Sequence, residues 1–135
     1  MPKFVAQDYR VTINGSDFSD HLAAVTIDIT AEEQETTAFG NSYRQRIAGL
    51  KDASISLDFH QDFGAASVDA TLWPLLGSQA TVVVTPTAAT ASTSPAYSAV
   101  YLVTEYQPYA SNVGDLATLS VSWPIASGTV TRATA

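Results

Sequence analysis

Large apolar residues fall on every second position through several stretches of this chain, and the positions between them carry Ser, Thr and single acids. Ala53, Ile55, Leu57 and Phe59 point one way; Ser54, Ser56, Asp58 and His60 point the other. A period of two predicts strands with one buried face. Tyr9, Val11 and Ile13 begin a first strand, which the Asn14-Gly15 turn signal ends. Ala23, Val25, Ile27 and Ile29 mark a second, residues 50–60 a third and residues 80–85 a fourth. From Tyr97 to Tyr106 both faces are apolar, which predicts a central strand or one covered by a neighbouring subunit. Ala117, Leu119, Val121 and Trp123 give another strand, and Thr129–Arg132 a short last one.

Between these lie three segments of other character. Residues 31–49 form a long connection, acidic at Glu32, Glu33 and Glu35, aromatic at Phe39 and Tyr43, and basic at Arg44 and Arg46. That make-up reads as a docking loop. Ala65, Val68 and Leu72 recur at helical spacing and predict one helix at about 65–73, ended by Pro74. Residues 86–95 are a Thr/Ala/Ser tract between Pro86 and Pro95, an exposed loop. Residues 1–8 form an N-terminal arm. The sum is a mainly β fold of two packed antiparallel sheets, sandwich- or barrel-like, in a single domain over residues 1–135.

Charge changes this picture. Only 14% of residues are charged, well below the ~25% usual in globular domains, which predicts surface hidden against other copies. The net charge of −7 opposes tight nucleic-acid binding. There is no cysteine, hence no disulfide or thiol chemistry. No apolar run reaches membrane-span length. The start, Met1-Pro2-Lys3-Phe4-Val5, lacks a hydrophobic signal core, so the expected site of synthesis and first use is a cytoplasm.

Candidate chemistry is sparse. His21 and His60 lack the partners of a zinc site, and Asp17 and Asp20 fit capping of a turn better than a calcium loop. No Gly-x-Ser-x-Gly elbow, Walker loop or dinucleotide glycine pattern occurs. Asp28 and Asp58 are a formal carboxylate pair, read as solvated strand residues rather than as glycosidase groups. Tyr97, Tyr101, Tyr106, Tyr109 and Trp123 read as packing residues rather than as a stacking platform. The expectation is a protein that is not an enzyme and holds no cofactor or metal.

The run Thr36-Thr37-Ala38-Phe39-Gly40-Asn41-Ser42-Tyr43-Arg44, closed by Gly49-Leu50-Lys51-Asp52 and the strand to Phe59, resembles the major tail tube proteins of long-tailed bacteriophages. So does the later order of Leu72-Trp73, Pro86, Pro95-Ala96-Tyr97-Ser98, Tyr106-Gln107-Pro108, Val113-Gly114-Asp115 and Gly128-Thr129-Val130. The similarity spans nearly the whole chain and rests on order and spacing. It implies a minimal subunit without the C-terminal Ig-like domain of some relatives. It also implies hexameric rings whose inner sheets join into one barrel, and rings stacked into a virion tail, assembled in the host cytoplasm. The implied partners are copies of itself, terminator, tape-measure and tip proteins, and double-stranded DNA in transit without specific binding. On this resemblance Asp28, Asp58 and Glu105 face the lumen, with Lys51 at its rim, paired with Asp52 or with an acid from the next ring. Glu32, Glu33, Glu35, Phe39, Tyr43, Arg44 and Arg46 make the inter-ring contacts. Two alternatives stay open: a β-sandwich binding module that decorates a capsid or binds carbohydrate, and the inner tube of a contractile injection device.

Overall fold

The computed structural model describes residues 9–65, 67–86 and 95–133. In chain order they form β1 (Arg10–Ile13), β2 (Ser16–Asp17), a 3-10 turn (Ser19–His21), β3 (Leu22–Glu35) and β4 (Arg46–His60). Then follow α1 (Val68–Leu75), β5 (Gln79–Thr85), β6 (Ala96–Leu102) and β7 (Thr118–Ala133). All neighbours pair antiparallel in the order β2-β1-β5-β6-β7-β4-β3.

The two layers arise from one strand. β7 pairs with β4 through Thr118–Pro124 and with β6 through Ile125–Ala133. Its second half carries extra residues opposite Ser98–Tyr101. Bulges of this kind bend a strand and increase its twist. Gly128 lies at the irregularity with φ +72°, in the left-handed region that favours glycine. Folding the sheet at β7 brings β3, β4 and the start of β7 over β1, β5 and β6.

The core lies between these layers. It holds Ile55, Leu57 and Phe59 of β4, Leu119, Val121 and Trp123 of β7, Val11 and Ile13 of β1, Val82 of β5 and Tyr101 of β6. Phe18 meets Phe59 edge to face, with ring centres 6.3 Å apart, a geometry the ring quadrupoles favour. Val68 and Leu72 of α1 also pack into this core. The mainly β, sandwich-like fold expected from the alternation is the fold observed. Asn14 (φ 50°) and Gly15 (φ 86°) make the expected turn between β1 and β2.

Four boundaries differ from the sequence reading. The connection expected over 31–49 is mostly strand: β3 and β4 stay paired as far as Glu35 opposite Arg46, so the loop proper is 36–45. Both faces of this extension are exposed, and a ladder with no buried face leaves no alternation to read. The helix runs from Val68 through Leu75, not 65–73. Pro74 sits in its last turn, where the missing N–H costs at most one intrahelical bond. β6 stops at Leu102, and the expected last strand at Thr129 is the second half of β7. The expected arm at 1–8 and residues 87–94 of the Thr/Ala/Ser loop lie outside the described residues.

Candidate assembly surfaces

The register of β3, β4 and β7 builds one outward face in rows. Asp28 lies opposite Ser54 and Ser54 opposite Pro124; Thr26 opposite Ser56 and Ser56 opposite Ser122; Ala24 opposite Asp58 and Asp58 opposite Ser120. Asp28 and Asp58 therefore share a face, as strand parity predicts. Ser120 donates to Asp58 Oδ1 at 2.6 Å, and the Ser56 and Ser122 hydroxyls meet at 3.4 Å. These three rows contain no Lys or Arg.

Glu105 is on no strand. Its carboxylate accepts from the Ser122 backbone N–H at 2.7 Å, and its carbonyl accepts from Trp123 Nε1 at 3.1 Å. It thus occupies the edge of the first half of β7, which β6 leaves open. Lys51 makes no ion pair with Asp52, one of the two partners expected for it. It shares the side of β4 that carries Ala53 and Ile55, and Asp52 Oδ1 accepts instead from the Ala53 N–H at 2.8 Å.

The β3–β4 extension projects as a two-stranded arm. Between Ala31 and Glu33 the register shifts, with one additional β4 residue at Gly49–Leu50. The shift brings Arg46 onto the side of Glu33, and the two pair at 3.4 Å; Arg44 pairs with Glu35 at 3.5 Å. Glu32 accepts from Gln34 Nε2 at 3.0 Å. The charges expected to meet across rings thus meet within one hairpin. Exposed pairs of this kind contribute about 0.2–1 kcal/mol each. At the tip, Gln45 N–H donates to Thr37 Oγ1 and Ala38 N–H to Asn41 Oδ1, each at 2.8 Å. This framework leaves Phe39 and Tyr43 fully in solvent.

A second group of exposed apolar side chains comprises Phe63, Trp73, Leu76, Tyr109, Val113 and Leu116. Phe63 and Tyr109 stack at 5.5 Å. Of the six only Tyr109 is among the aromatics expected to pack, and it is exposed. The available signal was apolar residues outside the strand alternation, beside Gly and Pro. Of the aromatics read as packing residues, Tyr101 and Trp123 are in the core. Tyr106 Oη donates to Asp69 at 2.6 Å and accepts from Gln61; burial first, then Asp69, pushes its hydroxyl up to about 12. Tyr97 Oη accepts from Arg132 Nε.

His21 ties two segments together. Its Nδ1 lies 3.0 Å from Asp20 and its Nε2 2.9 Å from Asp62. The Asp62 hydrogen bond is the main cause that raises the His21 pKa, with Asp20 adding to it and desolvation opposing. Asp62 is held low by the Gly64 N–H, His21 and the Ser67 hydroxyl. His60 Nδ1 is buried without a hydrogen-bond partner among the described residues. Among those residues no group of three or more His, Cys, Asp and Glu is placed to hold a metal ion. No helix among them is long and apolar enough to cross a membrane.

No protein-family model matches the chain, and no curated protein matches it. A solved structure does: a chain of "Virion of native gene transfer agent (GTA) particle" superposes with a TM-score of 0.77 at 16% identity, covering 96% of this chain and 98% of that one. The likeness is one of fold.

Proposed function

We propose that this chain is a structural protein of a phage-like virion, a subunit that closes into hexameric rings and stacks into a tail tube for DNA. The observation that carries the reading is the outward face of β3, β4 and β7, with Asp28 and Asp58 among hydroxyls and no cation in its rows. DNA is a dense polyanion, and each Lys or Arg along its path adds a counterion-releasing contact that slows passage. Carboxylates repel it, and hydroxyls keep the wall wet. The fold likeness to a chain of a gene transfer agent virion supports the same reading.

Edges supply the means of closure. β3 ends the sheet, and its 14 residues have no strand partner on their outer side among the described residues. A long free edge pairs with another chain unless something blocks it. In a ring each β3 edge meets the next copy, and the sheets become one barrel. Phe39 and Tyr43 at the arm tip anchor the adjacent ring, with Glu32, Glu33, Glu35, Arg44 and Arg46 setting the polar rim. Glu105 marks the boundary of the lumen face. The subunit works as a single domain, without catalysis or cofactor, beside terminator, tape-measure and tip proteins in the virion tail, after assembly in the host cytoplasm.

The test is Asp28→Lys together with Asp58→Lys in the particle. Tubes should form, and genome delivery should slow roughly tenfold or more. Unchanged delivery with both lysines in place overturns the lumen assignment.

A further inference from the structure

Six residues of the chain are Lys or Arg, and Lys3 lies outside the described residues. Of the other five, Arg10, Arg44 and Arg46 each pair with a carboxylate: Asp17 at 3.6 Å, Glu35 at 3.5 Å and Glu33 at 3.4 Å. Lys51 and Arg132 make no ion pair among the described residues. Both line the same groove of about 540 Å³, between the base of the arm and the second half of β7. Its apolar lining includes Ile29, Leu50, Ile125 and Val130. Asp52 also lines it, with one carboxylate oxygen accepting from the Ala53 N–H, so the two cations exceed the acid by one charge. In a protein of net charge −7, the two cations that make no ion pair among the described residues therefore line one apolar groove.

The complementary surface is on the same chain. In the turn Val113-Gly114-Asp115-Leu116, Val113 and Leu116 are exposed. The Asp115 N–H donates to Asn112 O at 3.2 Å, and Gly114 has φ +90°, so the turn holds its own shape. The Asp115 carboxylate has no hydrogen bond or ion pair among the described residues. Two apolar side chains beside one carboxylate without a hydrogen bond or ion pair fit an apolar groove that carries Lys51 and Arg132, neither of them in an ion pair among the described residues.

The turn precedes the first residue of β7, whereas the groove lies along its second half, from Ile125 on. The half-strand Thr118–Pro124 between them spans about 20 Å. One copy therefore does not fill its own groove with its own turn. A surface and its complement at opposite ends of a molecule make a head-to-tail contact, which repeats without limit where the rotation does not close.

We propose that the turn 113–116 of one copy docks in the Lys51/Arg132 groove of another copy, as a stacking contact. This deepens the tube reading and rests on it. Binding would bury Val113 and Leu116 against Ile29, Leu50, Ile125 and Val130, with Asp115 between the two cations. Charge pairs at such a site set register and partner choice more than bulk affinity.

A charge swap in the full chain tests it. Asp115→Lys should raise the concentration needed for long assemblies roughly tenfold. Lys51→Glu with Arg132→Glu should do the same, and the combined chain should assemble again; far-ultraviolet circular dichroism checks that each folds. A second arm uses the absence of cysteine. Chains carrying Val113→Cys and Thr129→Cys are mixed, assembled and treated with a short bis-maleimide. The mixture should give cross-linked pairs, and neither variant alone should. Assembly of Asp115→Lys at the parent's concentration, absence of rescue in the combined chain, or no mixed cross-link in assembled material each overturns the docking. A parent chain that never assembles overturns the tube reading as well, so the two failures are told apart.

Discussion

Trp123 shows how a single residue ties the layers together. It is fully buried on β7, one residue before the strand leaves β4 for β6, and its ring N–H is taken by the Glu105 carbonyl. Trp123→Ala removes that packing and frees that carbonyl, and should cost about 3–5 kcal/mol in urea unfolding. A loss under about 0.5 kcal/mol, the range of surface changes, would show that the layers are held elsewhere. His21 makes a different prediction. Its pKa is raised above its ordinary 6.5, so its contribution is full below that value and is lost as pH rises through the folded pKa. Asp62 is lowered below its ordinary 3.8, so its contribution holds above that value and is lost as pH falls through the folded pKa. The clamp is thus strongest between the two. Melting temperature should fall from about pH 5 to about pH 8 in the parent, and fall less in His21→Ala; equal slopes would remove His21 as the cause. Parity alone placed Asp28 and Asp58 on one face. The use of Glu105 and the joining of His21 to Asp62 depend on loop paths, which carry no period.

At the scale of elements, burial decides what could be read. β4 from Ala53 to Phe59 is legible because every second residue enters the core. The arm from Glu32 to Glu35 and from Arg46 to Leu50 is not, because neither side is covered. The bulge at Gly49–Leu50 then reverses the sides of β4 relative to β3, and that reversal pairs Glu33 with Arg46. Opposite charges at the two ends of residues 31–49 were visible in the sequence; that they close on each other was not. The helix ends one residue beyond Pro74 because its last turn tolerates the proline, and it starts at Val68 rather than at Ala65. Phe39 and Tyr43 have no packing role in the monomer. Phe39→Ser with Tyr43→Ser should leave unfolding free energy within about 0.5 kcal/mol of the parent while reducing stacked assemblies in sedimentation. Unchanged sedimentation would show that the tip is not a contact.

The whole molecule has a core between two layers and apolar groups left outside it. Ile29, Phe39, Tyr43, Ile47 and Leu50 stand on and beside the arm, with Trp73, Tyr109, Val113 and Leu116 elsewhere. A monomer rarely exposes so much unless it is completed by partners. The low charge content points the same way from composition alone. Alternation makes the layered β fold legible, but a single sheet folded through one long strand is not, since β7 keeps no uniform period across Pro124–Gly128. The most direct measurement is electron cryo-microscopy of the purified chain under assembling conditions. The account predicts hollow tubes of stacked rings with Asp28 and Asp58 on the bore and β3 paired to the neighbouring copy. Solitary chains at every concentration, or tubes whose bore carries Lys51 and Arg132 in place of those acids, would contradict it.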